Sequence, residues 1–278
     1  MRRFPAARLE AFIARALAAV GLPEADAREV ALLMTRADLR RAEGHGIFRL
    51  PQYIRRIRAG GLNVRPLIRA VQETDAAALV DGDNGMGHLV MRFATRLCMD
   101  KAERQGVGWV GVRRSNHAGP AALYAMLPLE RDMIGLYLAV GSANHLPPWG
   151  GVELLLSTNP IAVAIPAGEE PPVVLDMATT VAAYGKVKTA AQRGERMPEG
   201  WMIDAEGRPL TDPKRADEGF LLPICGSKRL PGVERIRVPG EQSHAAFLER
   251  SREGLPLNDT LLAQLTRLAA DLGIAPLG

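Results

Sequence analysis

Cysteine is scarce in this chain. Its 278 residues hold two, Cys98 and Cys225, far apart and without CxxC spacing. Neither a disulfide framework nor a zinc knuckle organises it, and a reducing, cytoplasmic setting is expected. Lys+Arg and Asp+Glu stand at 35 against 31, a net charge of +4. That mild basicity suits a small anion as well as a nucleic acid. Aromatic residues make up only 5%, so there are few platforms for stacking bases, and the reading turns against nucleic acid. No apolar run is long enough to cross a membrane, and Glu10 interrupts the basic, amphipathic start, so a soluble, unexported protein is expected. The five histidines form no HExxH or other close pair, so no metal site is expected. Gly82-Asp83-Asn84-Gly85-Met86-Gly87 lacks the GxGxxG spacing and reads as a plain turn rather than a phosphate loop.

What is present is a substantial core. At 47% hydrophobic the chain can fill one large or two smaller domains. Apolar residues at helical spacing predict a helix from Leu9 to Val20, stopped at Gly21-Leu22-Pro23, and a second from Glu24 to Arg41. A polar hinge, Glu43-Gly44-His45-Gly46, follows. Pro51 then opens a short helix that Gly60-Gly61 ends. Ala76–Val80, Gly108–Val112 and Val173–Leu175 read as strands, with a helix to about Arg104 after the first. Helical stretches run to Arg193 and over Gly240–Glu253 and Asn258–Leu272. Helices and strands mix without a strict βαβα rhythm, which predicts an α/β (mixed α+β) fold with a mixed sheet. A helical part, residues 1–75 with 240–278, would accompany a catalytic part, 76–239.

The stretch from Gly111 to Gly168 is the organising one. Its apolar runs Ile134–Val140 and Ile161–Ile165 are expected as buried strands. The loop between them carries Ser142, Asn144, His145, Pro147, Pro148, Trp149, Gly150 and Gly151. Before them lies Ser115-Asn116-His117-Ala118-Gly119, between a strand and a helix, where functional groups are usually mounted. His117 is the titratable ring of that loop. His45 sits between two glycines that let a substrate come close, although a plain turn histidine reads equally well. Arg49 lies four residues on, and a helical segment would put both on one face. A histidine with an arginine is what a 2-oxo acid needs: the guanidinium takes the carboxylate, and the ring exchanges a proton with the oxygen on C2. Trp149-Gly150-Gly151 and Thr158-Asn159-Pro160 read as tight turns. Asp176 is a helix N-cap or a ribose ligand, and Ser227-Lys228 a phosphate contact or plain surface.

In this order, Ala37-Asp38-Leu39-Arg40, His45-Gly46 with Arg49-Leu50-Pro51-x-Tyr53, Ser115-Asn116-His117, Pro148-Trp149-Gly150-Gly151, Thr158-Asn159-Pro160, Asp176-Met177-Ala178-Thr179 and Pro239-Gly240-Glu241 resemble the type-2 malate/L-lactate dehydrogenase family. The resemblance implies a non-Rossmann fold and a homodimer with sites near the subunit interface. It also implies hydride transfer between NAD(P)H and a small 2-oxo or 2-hydroxy acid; a cyclic-imine carboxylate is the alternative substrate. Carried over by motif, His45 and His117 look like the acid/base pair and Arg49 like the carboxylate clamp. Ser142, Asp176, Met177, Ala178, Thr179, Ser227, Lys228, Gly240 and Glu241 look like cofactor contacts, with NADPH ahead of NADH if Lys186 and Arg193 meet a 2′-phosphate. Two departures stand out. Glu43-Gly44 replaces the family's Asp-Ser before the His-Gly. After Ser227-Lys228 the chain goes straight to Arg229-Leu230-Pro231-Gly232, as though several tens of the family's residues were missing. A shortened, non-catalytic binding protein is therefore the reading from another class.

Overall fold

A computed structural model describes residues 2–141, 144–147, 153–222 and 241–277. The elements are β1 (Arg2–Phe4), α1 (Ala6–Ala18), α2 (Glu24–Leu39), α3 (Leu50–Arg58), β2 (Arg69–Glu73), β3 (Ala77–Gly85), α4 (Gly87–Gln105), β4 (Trp109–Ser115), α5 (Ala122–Ala125), β5 (Gly135–Leu138), β6 (Ile161–Ile165), β7 (Val173–Met177), α6 (Tyr184–Arg193), β8 (Met202–Ile203), β9 (Phe220–Leu221), α7 (Glu241–Glu253), β10 (Leu255–Leu257) and α8 (Asp259–Leu272). The helices follow their sequence signals. In α1, Leu9, Phe12, Ile13, Ala16 and Leu17 recur on one face and are all buried. Asn258 caps α8 by accepting the Leu261 N–H at 2.9 Å.

The first core gathers α1, α2, α3 and α8 around Phe12, Ile13, Val30, Met34, Ile54 and Leu265. β1 closes it by pairing antiparallel with β10, Phe4 opposite Leu255. A mixed three-stranded sheet follows in the order β2-β3-β4. Here β3 lies antiparallel to β2 and parallel to β4, with Ala78 opposite Val110 and Val80 opposite Val112. The parallel pair needs a crossover, and α4 supplies it, burying Val90 and Ala94 against Val80. A second sheet, β5-β6-β7, is wholly antiparallel. Its inner face, Ala162, Ala164 and Val174, packs on Ala121 and Ala125 at α5. A smaller core around Val187, Met197, Met202 and Leu221 joins α6 to the β8–β9 pair.

One expectation is corrected. The Ile134–Val140 run forms a strand, but only one of its faces is buried: Leu136 and Leu138 are 54% and 52% exposed, and Ile134 and Val140 are more so. Strand side chains alternate between faces, so a wholly apolar strand on a sheet covered from one side leaves half its residues bare.

Candidate active site

The site begins where α2 stops. Arg41 turns left-handed at φ 61°, and two single 3-10 turns, Glu43–His45 and Ile47–Arg49, follow. Between them Gly46 lets the chain close over Asp38. A Cβ there would fall 1.9 Å from the Asp38 carboxylate, so any larger residue would have to displace that buried side chain. Asp38 accepts the Ile47 N–H at 2.8 Å. Burial pushes its carboxyl up to about 8, against the pull of that hydrogen bond, so it keeps its proton at neutral pH. Ring and guanidinium thus emerge from a pair of tight turns anchored to α2. Arg49 donates through Nε to the Gly44 carbonyl and through Nη1 to Gln52 Oε1, both at 2.8 Å. Its Nη2 makes no hydrogen bond among the described residues.

His117 comes from a part of the chain distant in sequence, just after β4. Asn116 anchors its loop, donating from Nδ2 to Asn84 O, Asn84 Oδ1 and Gly85 O at 2.8, 2.9 and 3.0 Å. Gly87, at the start of α4, lies so close that a Cβ would be 2.1 Å from the Asn116 carbonyl oxygen. The glycine-rich end of β3 and the start of α4 therefore seat the histidine loop. This stretch offers carbonyl oxygens at that point, the wrong polarity for a phosphate.

The two predicted histidines meet. His45 Nδ1 is 3.2 Å from His117 Nε2, with the rings parallel to within 2°. The Tyr53 hydroxyl, from α3, lies 2.5 Å from His117 Nδ1, and the Gly119 N–H reaches the same nitrogen at 3.4 Å. Behind them His88 is fully buried, edge-on to Tyr53. Neither of its ring nitrogens has a hydrogen-bond partner among the described residues. Burial, and then the Arg49 charge, lowers His45 to about 4. Burial with the neighbouring His45, Arg49 and His88 holds His117 well below the usual range. Burial lowers His88 to about 3. The cluster is neutral at pH 7, beside a fixed cation.

α6 closes another side. Gly185 sits against Gly44, where a Cβ on Gly44 would come within 3.3 Å of its backbone. The Gly44 that replaces the family's serine is thus a contact of backbone on backbone. Tyr184 stacks on His145 at 4.1 Å and donates to Asp217 at 2.8 Å. The Lys188 ammonium lies 5.1 Å from the Tyr184 ring centre. Glu43 joins these parts: it pairs with Arg193 of α6 at 3.0 Å and with Arg250 of α7, whose guanidinium also donates to the Asp38 carbonyl. Arg193, set beside Lys186 as a contact for a 2′-phosphate, is thus paired with Glu43 in this structure.

The other expected contacts divide. Asp176 does not cap the following helix; its carboxylate accepts the Ala122 N–H at 2.8 Å, across at α5. Thr179 donates its N–H and hydroxyl to the Thr158 carbonyl, and Asn159 accepts the Gly141 N–H at 3.0 Å. These turns bind the loops at one end of the second sheet. Met177 closes β7 opposite Ile161, with Ala178 next in the chain. Ser142, the Pro148-Trp149-Gly150-Gly151 string, Ser227, Lys228 and Gly240 lie outside the described residues, and Glu241 is the first residue of α7. Sequence reasoning passed over Asp38, Gln52, Tyr53, His88, Tyr184 and Lys188 as site residues. Tyr53 stood in a matching motif and was legible only as a core residue. Among the described residues no group of three or more metal-binding side chains converges, and no helix is long and apolar enough to span a membrane.

The model of the family described as malate/L-lactate dehydrogenase matches residues 4–229. The chain is 42% identical over 231 residues to a malate dehydrogenase of Pyrococcus horikoshii, covering 83% of this chain and 64% of that protein. It is 42% identical over 208 residues to an L-sulfolactate dehydrogenase of Methanocaldococcus jannaschii, covering 75% and 60%. The chain thus spans less than two thirds of the length of these relatives. In three dimensions it is similar to the structure of malate dehydrogenase from P. horikoshii, with a TM-score of 0.88 and 29% identity over 99% of this chain and 97% of that one. The family-model match stops at 229, beside the point where the sequence departs from the family pattern, whereas the structural likeness extends through the C-terminal helices.

Proposed function

The chain belongs to the malate/L-lactate dehydrogenase family, and from that premise we propose that it transfers a hydride between a nicotinamide cofactor and a small 2-oxo or 2-hydroxy acid. The observation that carries the reading is the pairing of the His45 ring with the Arg49 guanidinium, where neither His45 Nε2 nor Arg49 Nη2 has a hydrogen-bond partner among the described residues. The side chains gathered here (histidine, tyrosine, arginine) move protons and bind anions, and none can carry a hydride. This donor set fits a site completed by a redox cofactor.

In this reading Arg49 binds the substrate carboxylate and fixes C2, as a planar fork suits a planar anion. Gly44 and Gln52 hold the fork from behind. His45 exchanges the proton with the oxygen on C2, and His117 supports it. Substrate binding also tunes the ring: a carboxylate on Arg49 offsets the charge that depresses His45, so the imidazole becomes more basic in the complex. Met177 and Ala178, with Ser142, Ser227, Lys228, Gly240 and Glu241, would hold the cofactor. Bound there, the nicotinamide supplies or accepts the hydride. The Asp176 carboxylate is taken by the Ala122 amide and the Thr179 hydroxyl by the Thr158 carbonyl, so both support the surrounding backbone.

Two copies pairing is part of this reading. The outer face of β5 and β6 presents Leu136, Leu138 and Ile165 to solvent, an uncharged apolar strip of the kind that subunit contacts cover. A titration with NADPH and NADH, followed by nicotinamide fluorescence, tests the cofactor assignment. Saturable micromolar binding of either is expected, and a folded sample that binds neither sinks the dehydrogenase reading.

A further inference from the structure

His117 spends both ring nitrogens inside the protein. Its Nδ1 faces the Tyr53 hydroxyl and the Gly119 N–H. A hydroxyl can donate or accept, so Tyr53 alone would leave the tautomer open. An amide N–H can only donate, so at 3.4 Å it sets the direction while the close Tyr53 hydroxyl supplies the strong bond: Nδ1 is the bare, accepting nitrogen, and the ring proton sits on Nε2. That Nε2 is directed at Nδ1 of His45. His45 Nδ1 must then accept, and the neutral His45 ring carries its own proton on Nε2. This last nitrogen has no hydrogen-bond partner among the described residues.

We propose that Tyr53, with the Gly119 amide, is a positioning residue that fixes the tautomer of His117 and so presents the Nε2–H of His45, rather than any nitrogen of His117, to the substrate oxygen. The roles of the two histidines are therefore unequal. His45 touches the substrate, and His117 orients it from behind. Tyr53 is suited to the task because it is buried in the first core and held by α3. Its hydroxyl stays protonated, since burial raises its pKa. The role of His45 in catalysis rests on the proposed dehydrogenase reading. The tautomers do not, because they are set by protein groups alone.

The test is nitrogen-15 spectroscopy of the full chain with labelled histidine, His45 and His117 being assigned from His45→Gln and His117→Gln. At neutral pH the wild type should show, in both rings, a protonated Nε2 and a bare Nδ1. In Tyr53→Phe the long Gly119 contact remains alone, and His117 should become a mixture of tautomers. If the chain reduces a 2-oxo acid, kcat should fall by about tenfold to a hundredfold in that variant. KM should hold, because Arg49 is untouched. A wild-type His117 protonated on Nδ1 overturns the proposal, as does a Tyr53→Phe spectrum identical to the wild type. The wild-type spectrum alone decides the tautomers if the variant fails to fold. It can be recorded whether or not the protein turns over, so failure of the dehydrogenase reading is seen separately.

Discussion

Neutral imidazoles surround a permanent cation, and a single buried ring carries the clearest consequence. His88 is held neutral in the fold and charges readily once unfolded. Its folded pKa, about 3, lies below the ordinary histidine value. Its contribution to stability is therefore present above pH 6.5 and lost as pH falls toward 3. His88→Leu should remove this loss, raising stability at pH 5 by about 1–3 kcal/mol and flattening the slope of urea midpoint against pH on the acid side. An unchanged slope would show that His88 is not the ring that titrates on unfolding. Asp38 has the opposite sign. Its folded pKa of about 8 exceeds the unfolded value, so stability is full below about pH 4 and is lost as pH rises toward 8. Asp38→Asn keeps an acceptor for the Ile47 amide. It should stabilise the protein at pH 7 by about 1–3 kcal/mol, read from urea midpoints at pH 5 and 7; destabilisation at pH 7 would show that the carboxylate is ionised and partnered.

At the scale of elements, the histidine turn is a junction. Glu43 ties it to α6 through Arg193 and to α7 through Arg250, so helices far apart in sequence bear on one ring. Arg250 is buried, and Glu43→Gln leaves its charge without a countercharge. A loss of about 1–3 kcal/mol is expected, together with weaker turnover; a variant of wild-type stability would mean that the ion pair is dispensable. Gly46→Ala should be more severe, costing about 2–4 kcal/mol, because the new methyl meets the Asp38 carboxylate rather than open space. Circular dichroism melts would expose a tolerated alanine. These elements also show what the sequence discloses. α1, α3 and α8 carry apolar spacing with proline or asparagine at their starts, and local signals place them well. His45, Arg49 and His117 are legible because they bring rare chemistry into glycine-flanked loops. β1 and β10 are invisible locally: Arg2-Arg3-Phe4 and Leu255-Pro256-Leu257 are short, and each becomes a strand only by meeting the other across the length of the chain. Tyr53, Asp38 and His88 sit at helical core spacing, so periodicity assigns them to packing. Their role depends on contacts that no local pattern contains.

On the scale of the whole molecule, helices, a small mixed sheet and an antiparallel sheet together bring two loops distant in sequence to one site. The second sheet leaves an apolar strip open, and the chain should therefore self-associate. Sedimentation is expected to show dimers at micromolar concentration, and Leu136→Lys with Leu138→Lys should give folded monomers; a wild type that stays monomeric would show that the strip is not a subunit contact. Catalysis itself is read from the absorbance of NADH and NADPH in the presence of a panel of 2-oxo acids, for wild type and His45→Gln side by side. Consumption of reduced nucleotide by the wild type, falling by about a hundredfold or more in the variant, is the predicted result. A wild type that binds nucleotide yet consumes none with any of the acids, or a His45→Gln protein as fast as wild type, would contradict it.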